Sequence, residues 1–325
     1  MIETPPSSTA ADSGGDQAHG WPRLLQVLAA IALGLVFLVA AAAKGGDPAA
    51  FVEQIESYAI VTGALARLAA WVLIPFETLL AACLIFGFRR RLAALATGLL
   101  LIFFMAVTAY GWSQGRMEGC GCFGALASRG PGGVISEDTV LLVLAVIAWL
   151  PVRGAGGLFS EPAGQRHGLA RLAAVVLLTA ISIAYQAAAP ALPLDDYVTA
   201  LRPGRQVADL GLGVALEGEE PRLVALLDLK SPEIQQTVEA LSGLASGTGM
   251  PRQVAFAAAN EEERGAFFFG FGIHTEEAEH ASMRLLYRKL PRFFLASGGR
   301  VVETWNDGPP TPEQVAEALG SAQNE

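Results

Sequence analysis

Five apolar runs of membrane length occupy the first 190 residues, and they decide what this chain can fold into. Lipid offers no hydrogen-bond partner to a peptide group, so a spanning segment closes its own backbone bonds as a helix. About 20 apolar residues reach across the hydrocarbon core. The runs fall at 24–43, 68–88, 92–112, 136–152 and 169–189. The first and third carry no charge, the second holds Glu77, and the fifth holds Arg171 near its start. The fourth is short, and Val134 and Ile135 extend it. The chain has 325 residues, of which 52% are hydrophobic and only 16% charged, too apolar for an ordinary soluble protein of this size.

Charge divides the chain at Leu194. The first 194 residues carry 11 acidic and 11 basic residues, and the remainder carries 20 acidic and 11 basic, so the whole formal charge of −9 sits on the tail. That balance disfavours nucleic acid and anionic lipid surfaces as partners of the tail. The first 23 residues, with Pro5, Pro6, Gly14 and Gly15, read as disordered and do not resemble the start of a secretory signal. Basic residues favour the cytoplasmic side of short loops. With the N-terminus inside, seven fall inside (Arg23, Arg89, Arg90, Arg91, Arg153, Arg166, Arg171) and four outside (Lys44, Arg67, Arg116, Arg129). This predicts a multi-pass protein of a bacterial cytoplasmic membrane, with 153–168 as a cytoplasmic loop and the tail in the periplasm.

Two of the three cysteines sit in Cys120-Gly121-Cys122-Phe123-Gly124, a loop between the third and fourth runs. On the predicted outer face that pair meets an oxidising compartment. Gly121 permits the bend a bridge needs, and a small strained ring is a labile one. Three readings stand: a redox pair or sensor, a static bridge or glycine-rich turn, and a soft-metal site for which two ligands are too few. Pro75 and Glu77 lie inside the second run. An ionisable group at membrane depth is a functional hypothesis by default, and Pro75 frees a carbonyl beside it. Glu77 reads either as part of a polar patch, touching a quinone, a proton path or Lys44, or as a carboxylate solvated from a cavity. Lys44, ending the first run, is expected to snorkel to the interface. Residues 51–60 read as an amphipathic surface helix, and Cys83 as a small hydrophobe without a role.

Ala43-Lys44, Asp47-Pro48, Phe51, Tyr58, Pro75-x-Glu77 and the Cys120-Gly121-Cys122-Phe123-Gly124 string together resemble the MauE/DoxX group of redox-associated membrane proteins. The resemblance covers 24–152 and implies a four-helix membrane bundle, here with a fifth span. It also implies a link to methylamine utilisation, through maturation or export of a disulfide-rich periplasmic protein.

The tail alternates strand and helix after a linker at 190–205. Strands are predicted at 223–229, 253–258, 291–296 and 301–305, with a hairpin turn at Ser297-Gly298-Gly299-Arg300. Helices are predicted from Ser231-Pro232-Glu233 to Ala245, over 275–289, and after Thr311-Pro312-x-Gln314, whose Thr and Gln have capping-box spacing. The aromatic run Phe267-Phe268-Phe269-Gly270-Phe271 reads as a buried strand or loop plug, or as the lining of a groove. This order resembles the thioredoxin fold over 206–325, an α/β domain, and Pro291 falls where that family carries a cis proline, here after Leu290. A working member has Cys-x-x-Cys at the start of the first helix, where the helix terminus lowers the thiol pKa. Here that place reads Lys230-Ser231-Pro232-Glu233, and the tail contains no cysteine. Ser231, Pro232, Leu290 and Pro291 therefore mark the groove of a degenerate domain, to be set against a plain spacer.

Two function classes follow. One is a redox-associated factor in the maturation of a periplasmic client, with Cys120 and Cys122 as its thiols and a quinone or separate thioredoxin-like protein as electron partner. The other is a membrane scaffold or transporter subunit whose Cys-Gly-Cys loop is structural. With one thiol pair and a cysteine-free tail, the chain lacks a complete thiol relay of its own.

Overall fold

The computed structural model describes residues 20–115, 131–150, 165–213, 216, 218, 220–247, 249–306 and 308–322. Five helices are long and apolar enough to cross a membrane: α1 (Gly20–Gly46), α3 (Ala64–Phe86), α4 (Arg90–Ser113), α5 (Pro131–Trp149) and α6 (Gln165–Ala188). They stand over the five apolar runs. Between the first two lies α2 (Pro48–Ser57), where the amphipathic segment was predicted. Asp47 caps it, accepting from the Ala50 amide at 3.0 Å, and Pro48 opens its first turn.

The chain resolves into two compact units, whose limits cut through helices. The first comprises residues 1–39, 75–106 and 135–181, and the second 40–74, 107–134 and 182–325. In the first unit small residues set the helix spacing. A β-carbon on Gly34 would lie 3.0 Å from the Ala81 carbonyl and 2.8 Å from Ile85, so α1 and α3 approach closely only because that atom is missing. Gly98 of α4 likewise faces Leu142 and Ala145 of α5. Leu99, Phe103, Val140 and Leu177 are exposed, an apolar surface suited to lipid contact.

In the second unit the tail forms a five-stranded mixed sheet in the order β3-β2-β1-β4-β5. The strands are β1 (Arg222–Leu227), β2 (Arg252–Ala257), β3 (Thr275–Glu277), β4 (Arg292–Ser297) and β5 (Arg300–Trp305). Strands β1, β2 and β3 are parallel, while β4 runs antiparallel to β1 and to β5. Between β1 and β2 runs α8 (Ile234–Ala245), and between β2 and β3 runs α9 (Glu261–Phe271); α10 (His280–Arg284) precedes β4 and α11 (Pro312–Ala322) closes the chain. A short turn of helix, α7 (Asp195–Val198), lies in the exit from the last apolar helix. Side chains alternate across a strand, so the central β1 sends Val224 and Leu226 to one core and Ala225 and Leu227 to the other. The hairpin between β4 and β5 turns on Gly298 and Gly299, both with positive φ, as expected of a two-residue loop. Thr311 and Gln314 form the predicted reciprocal cap.

The helix expected at 275–289 is not there. Residues 275–277 pair with β2 as an edge strand, and only His280–Arg284 is helical in the rest. The second crossover helix is instead α9. Asn260 and Glu263 close a capping box around its start, and Gly272 in the left-handed region ends it. Three glutamates in its first turn complement the positive end of the helix dipole. The Phe267–Phe271 run is thus helical, with Phe267 buried but Phe268, Phe269 and Phe271 exposed. The first tail helix also starts later than expected. Its N-cap is Glu233, while Ser231 Oγ accepts from the Glu233 amide one turn earlier.

A fully buried arginine ties the exit segment to the sheet. Arg292 at the start of β4 donates to Thr199 Oγ1 and Leu286 O at 2.6 Å, to Leu201 O at 3.1 Å, and to Asp196 at 2.6 Å. Burial pushes its guanidinium down, and the charges of Asp196 and Asp195 pull it back. Removing one partner of such a pair leaves buried carbonyls unmet. Arg292→Ala should therefore destabilise the tail by about 3 kcal/mol, and Arg292→Met by less, because it keeps the volume. Chemical unfolding of the detergent-solubilised chain measures both, and equal losses would contradict the charge-based account.

Candidate functional site

A cleft of about 360 Å³ opens at the carboxyl ends of β1 and β2. Crevices outside the carboxyl ends of strands, where neighbouring connections diverge, are the usual ligand sites of open α/β sheets. Here β1 is joined through α8 to β2 on one side and is flanked by the antiparallel β4 on the other. Leu227, Leu229, Ala257, Ala258, Met283 and Leu290 give the cleft apolar walls, while Asp228, Lys230, Glu263, His280, Tyr287, Arg288 and Lys289 give it polar ones. The Leu290–Pro291 peptide beside it is cis, as the sequence led us to expect. Lys230 and Leu290 line the cleft directly; Ser231 and Pro232 follow Lys230 on the turn towards α8.

Lys230 Nζ lies 2.7 Å from Glu263 across the rim. The hydrogen bond between them raises the lysine above its ordinary range and lowers the carboxyl below its own. Both groups are solvent-exposed, so this pair contributes little to stability. Burial raises the Tyr287 phenol, partly opposed by the neighbouring Arg284 charge. Tyr287 lines the cleft. Nothing in this set is a nucleophilic thiol, and all three cysteines precede the sheet region. Among the described residues no group of His, Cys, Asp or Glu side chains is arranged to hold a metal ion.

The cleft wall is anchored from behind by basic residues that sequence reasoning did not single out. Arg284 donates to Glu53 at 2.6 Å and to Asp47 at 3.1 Å. Burial opposes its charge, but Asp47 and Glu53 more than offset this and hold the guanidinium above its ordinary range. Arg288 donates to Leu192 O at 2.9 Å, to Ala189 O, and to Asp195 at 3.4 Å. Lys289 donates to Pro190 O at 3.1 Å. The α1–α2 elbow takes further partners from the same late part of the chain. A β-carbon on Gly46 would sit 2.6 Å from Val198 and 2.9 Å from the Tyr185 hydroxyl, so the Gly45–Gly46 pair leaves room for both. The spacing of Arg284, Arg288 and Arg292, four residues apart, was the legible signal of this anchor.

The polar membrane residues fall in both units. Glu77, in the proline-containing α3, is buried in the first unit, as are Thr78, Thr97 and Asp138. Asp138 on α5 is a second buried acid that the sequence analysis passed over, because its span looked short. Lys44 belongs to the second unit and does not reach outward as expected. It is only 6% exposed, and its ammonium lies 5.1 Å from the centre of the Phe51 ring, a cation–π contact. Pro75 lies inside α3 without ending it. Cys120 and Cys122 lie outside the described residues.

With this geometry in place, residues 22–151 match the family model of methylamine utilisation protein MauE. Over that region the chain is similar to the MauE family and carries four of the five helices long and apolar enough to cross a membrane. The match ends with α5 and covers less than half of the chain, leaving α6 and the whole sheet region beyond it. A search of curated proteins and a search of solved structures found no match.

Asp47 performs two tasks at the elbow, capping α2 and pairing with Arg284. Asparagine caps as well as aspartate but carries no charge, so Asp47→Asn should lose only the ion pair, and Asp47→Ala should cost about 1 kcal/mol more. Denaturant unfolding of the solubilised chain checks this, and equal stability of the two variants would contradict it.

Proposed function

We propose that this protein is a membrane-embedded factor for the maturation of a periplasmic client in a bacterial cytoplasmic membrane. In this reading the MauE region presents Cys120 and Cys122 at the outer face, and the sheet region is a degenerate thioredoxin-like domain that binds the client without exchanging thiols. The observation that carries the proposal is the cleft itself. It sits at the carboxyl ends of β1 and β2, beside the cis Leu290–Pro291 peptide, and has Lys230-Ser231-Pro232 where a thiol pair would stand. The family match, whose description names methylamine utilisation, supports the membrane half of the reading. The chemistry balances as an exchange. A client dithiolate attacks the Cys120–Cys122 bridge, the client gains a disulfide, and the pair is left reduced. Its two electrons and protons then pass to a quinone or a separate thioredoxin-like protein.

A second reading rests on the buried Glu77 and Asp138 in the first unit. Carboxyl groups inside a lipid-facing bundle are expensive to keep, and they mark polar pathways. In that case the protein is a scaffold or transporter subunit, and the cysteine loop is structural.

Two measurements separate these readings. Replacing Cys120 and Cys122 by Ser should leave the protein abundant while its client accumulates with free thiols. Loss of abundance with client thiols unchanged favours the scaffold. A photo-crosslinking side chain at Ala258, an exposed cleft residue, should capture a periplasmic protein that the same group at Ser246 on the end of α8 does not. Equal capture at both positions would remove the groove from the proposal.

A further inference from the structure

The segment from His280 to Arg292 has two faces with different partners. His280, Met283, Tyr287 and Leu290 line the cleft. Arg284 and Arg292 turn away from it to the elbow and the exit segment, and Arg288 takes part in both. One residue pair joins the faces directly. The Arg284 guanidinium lies 5.1 Å from the centre of the Tyr287 ring and donates to the Tyr287 carbonyl at 2.6 Å. The same guanidinium holds Glu53 at 2.6 Å and Asp47 at 3.1 Å. Asp47 in turn fixes the first turn of α2. A short contact path thus runs from the cleft wall, through Tyr287 and Arg284, to the elbow that ends the first membrane helix.

We propose that this path couples occupancy of the cleft to the conformation of the α1–α2 elbow. The inference rests on the cleft being a binding groove, and it adds how that groove is regulated. A ligand pressing on Tyr287 must move a guanidinium that is only 11% exposed and already satisfied by two carboxylates and a carbonyl. Displacing the side chain breaks those bonds together, so the elbow shifts as a step rather than by degrees. Coupling of this kind is reciprocal: whatever the ligand does to the elbow, a change at the elbow does to ligand affinity. Besides Ile74 and Ala70 of α3, the elbow takes partners from beyond the family-matched region, Tyr185, Val198 and Arg284. The C-terminal region therefore acts as a resident partner of the membrane region at its Lys44–Glu53 corner.

Hydrogen exchange read by mass spectrometry on the full chain in lipid nanodiscs tests the coupling. Arg284→Glu should speed exchange at residues 44–57 and also at 227–230 in the cleft floor, each by about tenfold or more, as local opening replaces a held state. Residues 227–230 line the cleft with Tyr287 at the far end of the path from Glu53 and Asp47, so acceleration there reports transmission. Adding Glu53→Arg to Arg284→Glu should recover most of the protection at both places; Asp47 still faces the new glutamate, so recovery is partial. Faster exchange at 44–57 with 227–230 unchanged would overturn the coupling and leave the groove reading intact. A double variant as open as Arg284→Glu would also overturn it, since the effect would then be loss of packing and not of the ion pair. Coupled exchange in a chain that captures no client at Ala258 would instead keep the path and remove the groove.

Discussion

Arg284, Arg288 and Arg292 hold together parts of the chain that lie 90 or more residues apart. Each guanidinium is nearly or fully removed from water, and each is met by carboxylates and backbone carbonyls together. That combination makes a buried cation tolerable, because the cost of desolvation is answered by several charge-assisted bonds at once. Arginine suits the task better than lysine, since its planar fork reaches two partners in fixed geometry. The exit segment from 189 to 201 lies against the sheet region because these residues hold it there. The cleft wall is therefore a tethered element and not a free loop.

The two halves of the protein meet opposite demands. In the bundle, apolar surface faces outward, and glycine or alanine at contacts such as Gly34 lets helices approach. In the sheet region, the central strand is buried on both sides, while charge is moved to the rim and to the acidic surface. The polar residues placed against these rules are the informative ones. Glu77 and Asp138 are buried where lipid-facing chemistry would exclude them, and Lys44 is covered by the ring of Phe51. The cleft carries a lysine–glutamate pair at its rim.

The membrane spans were legible in sequence because a single rule, about 20 apolar residues per crossing, has few exceptions in lipid. Four of the five tail strands were legible for a similar reason, through short apolar runs bounded by turns; the edge strand β3 was not. The helix expected at 275–289 was misplaced because residues 275–277 pair with β2 as an edge strand, a tertiary contact that local pattern does not show. The better signal was the Asn260–Glu263 capping box, which the phenylalanine run obscured. At the candidate site, Ser231, Pro232, Leu290 and Pro291 were named by analogy of position, and of these Leu290 lines the cleft while Lys230, the neighbour of Ser231, was not named. The clamp residues were missed because Asp47 and Glu53 are over 200 residues from their partner.

The sequence alone determined the number of membrane-length helices, the acidic sheet-bearing tail, and the absence of cysteine from that tail. These depend on composition and local pattern, which the physics of lipid and of the peptide backbone reads one segment at a time. Tertiary structure decided that Lys44 is enclosed, that Asp138 joins Glu77 among buried acids, that Arg284 fastens a cleft wall to an elbow far away in the chain, and that Arg288 and Arg292 fasten it to the exit segment. Those outcomes depend on which distant groups desolvate one another, a property of pairs in space that no single stretch of residues contains.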